Sequence, residues 1–380
     1  MVLLRRNSRN RLTPFALAWP AAALLAALAN FAAAESPPQE RLQDALARFE
    51  LIAETGGWSP IPSGPTIEPG SADPRIASVA KRLTISGDLG SVARNFEVYD
   101  ETLQSAVLRF QARHGLEQDA LIGKRTLAAL NVPVERRIRQ IRLNMERTRQ
   151  VFAEDREDFL LVNIPAFTVT LFRDSEAQVM TRVIVGEQDM QTPLFEAPLK
   201  FVVLNPTWTV PRKIASEELL PKIQEDVGFL SRNAYDVVDR DGNTLDPADI
   251  EWASLHRNNF PYTLVQRPGP RNELGRIKFL FPNEYGVCMH DTPKKFLFTR
   301  DSRAFSHGCV RMQDPVDFAA HLLGPEGWTQ ERIAAQLETN ETHTIALAEP
   351  LPVVLVYLTA EVDNDGTVYF YRDIYGRDAG

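Results

Sequence analysis

The segment AFSHGCVRMQDP, residues 304–315, contains Cys309, one of only two cysteines in the chain. A buried structural cysteine usually has apolar neighbours, whereas Ser306, His307 and Gly308 are polar or lack a side chain. A metal site needs three or four ligands at workable spacing, and the six histidines and two cysteines form no H-x-x-x-H or C-x-x-C pair. The pattern therefore favours a nucleophilic thiol, and we expect no metal and no cofactor.

A nucleophilic cysteine needs a base, and His290 is the candidate. A free thiol has a pKa near 8.5, so only a few per cent of it is thiolate at pH 7. His290 ends the strand-like segment YGVCMH, 19 residues before Cys309. A loop through DTPKKFLFTRDSRAF would bring the chain back to it. Gly308 has no Cβ, so N–H groups near Gly308 and Cys309 could approach an oxyanion closely.

The segment HDTPKKFLFTRDSRAFSHGCVRM resembles the signature of L,D-transpeptidases, in which a histidine and a loop precede Ser/Thr-His-Gly-Cys, a hydrophobic residue and Asn or Arg. The similarity covers roughly residues 80–380. It includes the segments NIPAFTVTLF, VIVG, TP, NPTWTVP, RPGPRNELGRIKFLFPN and DIYG, which are similar to the large, lid-bearing branch of that family.

The resemblance implies a role for each catalytic candidate. Cys309 would attack the carbonyl of the diaminoacyl residue at position 3 of a peptidoglycan stem peptide, D-alanine would leave, and a thioester would form. His290 would be the general base, oriented by the backbone carbonyl of Asp291. His307 and Gly308 would shape the oxyanion hole. An amine of a second stem would then attack the thioester and give a 3→3 crosslink.

Four further residues are candidates for binding the substrate. The guanidinium groups of Arg311 and Arg303 would suit a substrate carboxylate, and Ser306 lies within the signature. Trp208, in NPTWTVP, would line the cleft. The alternative for each arginine is a structural ion pair, and the alternative for Trp208 is core packing.

Cys288 stands two places before His290, where members of the family tend to carry an aromatic residue. Residues two apart in a strand face the same way, so we expect Cys288 to point toward His290 and Cys309. One hypothesis is that the two cysteines oxidise to a disulfide that switches the enzyme off. The alternative is a small apolar substitution that stays reduced.

The surrounding pattern predicts an α+β multidomain chain. Short β-branched or aromatic runs after residue 159 are typical of strands, and the resemblance implies a mainly β catalytic domain built as a sandwich. The segments KIASEELLPKIQED and DPADIEW predict helices within it, in an insertion that could serve as a lid. The segment LPVVLVYLTAEV-DNDG-TVYFYRDI predicts a hairpin that turns at Asp365-Gly366.

A small helical module precedes the β domain. Leu103, Val107 and Phe110 recur at helical spacing, and LIGKRTLAALN predicts a second short helix. Together, SAVLRFQARHGLEQDALIGKRTLAALN resembles the three-helix peptidoglycan-binding domain of exported cell-wall enzymes. It departs at Ala120, where a glycine usually follows the aspartate. The resemblance implies glycan as a partner beside the stem peptides; the alternative is a bundle whose apolar residues are only core.

The first residues resemble a targeting segment. Four arginines without an acidic residue precede an Ala/Leu-rich run and AAAES, which predicts a secretory signal cleaved near Ala34. The alternative is an uncleaved membrane anchor; membrane contact is expected only in that case, and both predict a periplasmic location. Without those arginines the formal charge changes from −8 to −12 (−8 minus 4). An acidic chain without a basic stripe argues against nucleic acid as a partner.

These patterns divide the chain into six parts. They are a signal peptide or anchor at 1–34, a helix and Pro/Gly-rich linker at 35–75, the peptidoglycan-binding-like module at 76–132, a connecting helix at 133–155, the catalytic domain at 156–345 with its lid insertion at about 211–267, and a C-terminal β-hairpin at 346–380.

The expected activity is that of an exported peptidoglycan L,D-transpeptidase, and two alternatives stay open. An L,D-carboxypeptidase would form the same thioester and use water as acceptor. A non-catalytic wall-binding protein would use only the helical module. A papain-like protease does not fit, because its cysteine precedes a histidine that lies far downstream.

Overall fold

The structure is a computed structural model that describes residues 37–90, 96–152 and 156–379. The predicted signal peptide or anchor at 1–34 lies outside these residues. Among the helices that the structure describes, none combines the length and the apolar character needed to cross a bilayer.

Helices dominate the first part of the chain and strands the second. The α-helices are α1 (Pro38–Glu54), α2 (Ile76–Ile85), α3 (Glu101–Arg113), α4 (Lys124–Leu130), α5 (Val134–Val151), α6 (Arg212–Ile214), α7 (Leu220–Glu225), α8 (Gly228–Arg232), α9 (Pro315–Leu322) and α10 (Gln330–Glu338). The strands are β1 (Phe159–Asn163), β2 (Thr168–Arg173), β3 (Glu176–Gly186), β4 (Glu196–Leu204), β5 (Trp208–Thr209), β6 (Tyr235–Val238), β7 (Thr244–Leu245), β8 (Thr263–Gln266), β9 (Ile277–Leu280), β10 (Met289–His290), β11 (Ala304–Ser306), β12 (Val310–Met312), β13 (His343–Val356), β14 (Ala360–Val362) and β15 (Val368–Phe370).

Helices α2, α3 and α4 form the small module, around a core that includes Leu103 and Phe110. The Asp100 carboxylate accepts a hydrogen bond from the Leu103 N–H and caps α3. Ala120 adopts a left-handed backbone with φ of 60°, and its N–H donates to the Gln111 side chain at 3.0 Å. The turn therefore has the backbone conformation that favours glycine, at a cost of about 1–2 kcal/mol for the alanine.

The main sheet pairs its strands in the order β11-β3-β12-β10-β9-β4-β13-β1-β2, and β3 also pairs with β2. The first part of β3 pairs with β2, and its end pairs with β12. Strand β3 therefore links β2, at one end of this order, to β12 near the other end, which closes the pairing into a ring. The core of this domain includes Met289 and Val310 of the sheet and Phe318 of α9.

The insertion has its own core and its own sheet. It begins at Trp208 rather than near 211, because β5 pairs with β8 at the end of the insertion. The strand order is β5-β8-β6-β7, so the insertion contains a small sheet beside the predicted helices. A π-helical turn at Ala215–Leu219 joins α6 to α7, and π-helical turns are frequent at functional sites.

Strand β13 runs across the C-terminal boundary predicted between 345 and 346. This strand pairs with β4 up to Ala346 and again from Leu351, with a shift in register between these residues. The bulge contains Pro350, which lacks the N–H that a regular ladder requires. Only β14 and β15 form the hairpin, and they pack against α1 and α5.

The predicted fold class is confirmed: a helical N-terminal module precedes a mainly β domain.

Candidate active site

Two short parallel strands, β10 and β12, place the chemical groups on one face of the sheet. Met289 pairs with Val310, and both are fully buried in the core. Because side chains alternate along a strand, the residues on either side of this pair face away from that core. Cys288 and His290 therefore lie on the same face as Cys309 and Arg311.

Cys309 is half-buried, and its sulfur has two close neighbours. The Sγ atom lies 3.8 Å from Cys288 Sγ and 4.0 Å from the Gly286 carbonyl oxygen. Hydrogen bonding from the Cys288 thiol lowers the pKa of Cys309 to about 6 against an opposing effect of burial, and the Cys288 N–H, Lys278 and Arg311 also lower it. The site therefore favours the nucleophilic thiolate near neutral pH.

His290 is buried beside the cysteine and is held by a backbone carbonyl. Its Nδ1 donates to the Asp291 oxygen at 2.5 Å, which leaves Nε2 as the basic nitrogen. Burial, together with the nearby cations of Arg311 and Lys278, lowers the pKa of His290 to about 3, against an opposing effect of hydrogen bonds to the backbone. The imidazole is neutral at physiological pH, as a proton acceptor must be.

The imidazole and the sulfur share a face, but no hydrogen bond joins them among the residues that the structure describes. His290 pairs with Arg311, so it lies diagonally across from Cys309, two residues further along the strand. Catalytic hydrogen bonds are often long before substrate binds. The arrangement therefore keeps the two groups near each other without a preformed ion pair.

The Asp291 side chain fixes the strand end that carries this carbonyl. Its Oδ2 accepts from the Arg276 N–H at 2.8 Å, and its Oδ1 lies 2.6 Å from Lys295 Nζ. Gly275 has a φ of +63°, and a Cβ there would come within 2.3 Å of the Asp291 carboxyl group. Gly275 is thus needed for both its backbone conformation and the close approach of Asp291.

The catalytic loop uses the Gly308 amide internally. Gly308 has a φ of +107°, and its N–H donates to Ser306 Oγ at 3.2 Å. The Ser306 hydroxyl in turn donates to the Cys309 carbonyl at 2.5 Å. The Gly308 N–H is therefore engaged rather than free for an oxyanion. The Cys309 N–H has no acceptor among the described residues and is the better oxyanion donor.

This geometry corrects the substrate role expected for Ser306. The residue is only 1% exposed, and its hydroxyl is occupied on both sides within the loop. Ser306 braces the turn that presents Cys309.

Two residues that sequence reasoning missed hold the same loop from outside. Thr192 Oγ1 donates to the Gly308 carbonyl at 2.9 Å and accepts from the Gly186 N–H at 2.8 Å. The Tyr375 hydroxyl donates to the Gly186 carbonyl at 2.5 Å and accepts from the Thr192 N–H at 3.2 Å. The segments TP and DIYG, noted above as part of the resemblance, were the available signal for these residues.

His307 faces the insertion. Its Nε2 lies 3.7 Å from a carboxylate oxygen of Glu218, in the π-helical turn. Both side chains are more than one-third exposed. The insertion therefore contacts the catalytic loop two residues before the nucleophile, and the expected oxyanion role of His307 stays a prediction.

The remaining candidates divide into one that reaches the site and two that do not. Arg311 lies on the reactive face, and its Nε is buried without a hydrogen-bond partner among the described residues. Arg303 is buried and donates to the carbonyls of Val183, Arg300 and Phe167, so neither a substrate contact nor an ion pair describes it. Trp208 packs against the core of the insertion, in agreement with the core-packing alternative.

Comparison with known proteins gives two family matches. Residues 157–345 match the model described as "L,D-transpeptidase catalytic domain", and residues 73–130 match that described as "Putative peptidoglycan binding domain". A protein of Haemophilus influenzae named "Putative L,D-transpeptidase" is 36% identical over 63% of this chain and 48% of its own length. The chain thus spans about half the length of this curated relative.

Solved structures of similar proteins include two L,D-transpeptidases. The protein from Mycobacterium smegmatis is 14% identical over 52% of this chain and 58% of its own, with a TM-score of 0.25. The protein from Stackebrandtia nassauensis is 14% identical over 77% of this chain and 97% of its own, with a TM-score of 0.27. The likeness of this chain to L,D-transpeptidases rests on the sequence matches.

Proposed function

Because residues 157–345 belong to the L,D-transpeptidase catalytic domain family and residues 73–130 to a peptidoglycan-binding family, we propose that the chain is an exported peptidoglycan L,D-transpeptidase. Cys309 is its nucleophile and His290 its general base. The donor is a tetrapeptide stem, and the product is a 3→3 crosslink formed in the periplasm.

One observation carries this proposal: an acidified, half-buried thiol and a neutral, buried imidazole share one face of two neighbouring strands. A cysteine and a histidine that served only to pack the fold would not need an acidified thiol beside a neutral, buried imidazole. Burying an imidazole between two cations costs stability, and a partly exposed thiolate is open to side reactions.

The geometry supports a two-step acyl transfer. The Cys309 sulfur attacks the carbonyl carbon at stem position 3, and the Cys309 N–H donates to the developing oxyanion. The Cys309 sulfur is already a thiolate near neutral pH, so Nε2 of His290 relays a proton from solvent to the amine of D-alanine as the C–N bond breaks. An acceptor amine then attacks the thioester, loses a proton to solvent through Nε2, and regenerates the thiolate.

Arg311 is the residue we assign to a carboxylate of the donor stem. Its guanidinium faces the same side as Cys309, and the unpaired Nε offers a donor that a carboxylate would satisfy. A cation here would also hold the leaving D-alanine near the proton that His290 delivers.

The test is intact-protein mass spectrometry after mixing the protein with a synthetic tetrapeptide stem. We expect a covalent tripeptide adduct on the native chain and none on Cys309→Ala. His290→Gln should still bind stem peptide but acylate far more slowly, by roughly a hundredfold or more, as loss of a general base implies. An adduct on Cys309→Ala, or none on the native chain under conditions where it binds stem, contradicts the proposal.

The half-exposure of Cys309 favours a second candidate, an L,D-carboxypeptidase, since water can reach a thioester at that position. Analysis of the released products separates the two. Stem dimers indicate transpeptidation, tripeptide indicates hydrolysis, and a wall-binding protein without catalysis would give neither while still adsorbing to peptidoglycan.

A further inference from the structure

We propose that Cys288 is a resolving thiol that captures an oxidised Cys309 as a reversible disulfide within the chain. The inference rests on the proposed function only in taking Cys309 as the nucleophile, so that its capture stops turnover. The formation of the disulfide itself is independent of that assignment.

The geometry already brings the two sulfurs into contact. Cys288 and Cys309 immediately precede the neighbouring parallel strands β10 and β12, with Sγ atoms 3.8 Å apart and both thiols free. Neighbouring strands lie about 4.8 Å apart, within the Cα separation of about 4.4–6.8 Å that a disulfide accepts. Since an S–S bond measures about 2.05 Å, side-chain rotation suffices and the strands can stay in place.

The two thiols differ in the way that a nucleophile and a resolving thiol must. Cys309 is half-exposed and its pKa is lowered to about 6, so that it is the group that meets an oxidant as thiolate. Cys288 is 8% exposed, and its hydrogen bond to Cys309 together with burial raises its pKa well above the ordinary value. Cys288 is therefore protected until Cys309 has reacted.

The chemistry needs a peroxide as oxidant. The Cys309 thiolate attacks one peroxide oxygen, the O–O bond breaks, and Cys309 becomes a sulfenic acid while hydroxide leaves. The Cys288 sulfur then attacks the sulfenic sulfur. The S–O bond breaks, and the hydroxyl leaves with the Cys288 proton as water. Two thiols are oxidised by two electrons in total, and the peroxide is reduced to water and hydroxide.

Two features favour a reversible product. The chain contains only these two cysteines, so no other thiol can compete for the disulfide. Cys309 is half-exposed, so its disulfide is open to a reducing thiol, and exposed disulfides are the readily reduced ones. Without Cys288, a sulfenic acid at Cys309 would proceed to the sulfinic and sulfonic acids, which thiols do not reverse.

The experiment compares the full chain with Cys288→Ala and Cys288→Ser after treatment with hydrogen peroxide. Intact mass and free-thiol counting under denaturing conditions are recorded before and after dithiothreitol, together with acylation by a tetrapeptide stem. We expect the native chain to lose two hydrogens and both free thiols, and to regain the thiols and its acylation fully with dithiothreitol. Each variant should gain two or three oxygens and should not recover its acylation.

Cys288→Ser keeps the size of the thiol and checks whether Cys288→Ala fails only through packing. The proposal is overturned if the native chain keeps two free thiols at a peroxide dose that oxidises the variants. It is equally overturned if the native chain gains oxygens as the variants do. If the disulfide forms and reverses but acylation never occurs on any chain, the assignment of Cys309 as nucleophile fails while the resolving role of Cys288 stands.

Discussion

At the level of single residues, the acidity of Cys309 comes from neighbours other than the imidazole. The Cys288 thiol, the Cys288 N–H and the cations of Lys278 and Arg311 lower its pKa to about 6. His290, with a pKa of about 3, is neutral and supplies no positive charge. The structure thus describes a thiolate stabilised by hydrogen bonds and cations, with a separate neutral base that moves protons during turnover.

This division predicts that removing the imidazole leaves the acidity of the thiol in place. The rate of alkylation of Cys309 by iodoacetamide should rise with pH around a midpoint near 6 in both the native chain and His290→Gln. Only acylation by substrate should fail in the variant. Urea-unfolded protein should show the ordinary midpoint near 8.5. A midpoint near 8.5 in folded His290→Gln would mean that the imidazole is the source of the acidity.

The same ionisations set how stability depends on pH. The folded pKa of Cys309 lies below its unfolded value, so this contribution is present above about 8.5 and is lost as pH falls through about 6. His290 also makes acid destabilising. Below about 6.5 the unfolded chain binds a proton that the folded chain refuses until about pH 3. Both groups therefore favour the folded state at neutral rather than acidic pH.

At the level of elements, the catalytic loop depends on segments distant in sequence. Thr192 lies 116 residues from Gly308, whose carbonyl it binds, and Tyr375 lies 183 residues from Thr192. These contacts hold the peptide that joins Gly308 to Cys309, and hence the N–H that we assign to the oxyanion. Thr192 and Tyr375 thus position the peptide between Gly308 and Cys309 without touching the substrate.

Replacement of Thr192 by valine keeps the shape and removes the hydroxyl, which leaves the buried Gly308 carbonyl and Gly186 N–H without partners. We expect kcat to fall roughly tenfold to a hundredfold, as misplacement of reacting groups does, with KM nearly unchanged. Unfolding should be easier by about 1–3 kcal/mol. Thr181→Val is the matched control, since Thr181 is equally buried and bonds Asp314 away from the loop. A larger effect on KM than on kcat would contradict the positioning role.

The sequence was informative where chemistry is local and uninformative where it is long-range. The order of His290 and Cys309 is read directly from the sequence, and the contact with the Asp291 carbonyl is what the family resemblance implied. Ser306 and Arg303 were expected at the substrate, yet both turn inward, because the direction of a side chain depends on strand register that spacing alone does not give. The boundary expected between 345 and 346 falls inside β13, which accommodates Pro350 in a bulge.

At the level of the whole molecule, the C-terminal hairpin joins the helical module to the first and last helices before the catalytic domain. The Phe370 ring lies 5.5 Å from the Phe49 ring and 5.7 Å from the His114 ring, and the Arg137 guanidinium lies 4.4 Å above it. Arg113 pairs with Asp88 in the module and also donates to the hairpin carbonyl of Val368. One buried aromatic residue therefore contacts α1, α5 and the end of α3.

Truncation of this residue tests whether the module and the catalytic domain act as one unit. Phe370→Ala removes a ring that is 2% exposed and should cost about 3–5 kcal/mol. We expect scanning calorimetry to show one unfolding transition for the native chain and two for the variant. The reason is that the lost contacts lie between the helical module and the catalytic domain, and not within the core of either. Phe370→Leu keeps most of the apolar volume and should retain one transition.

If the module presents glycan to the catalytic domain, Phe370→Ala should crosslink soluble stems normally and intact peptidoglycan poorly. A single transition shifted to lower temperature, with both substrates affected equally, would show that the hairpin stabilises the catalytic domain alone.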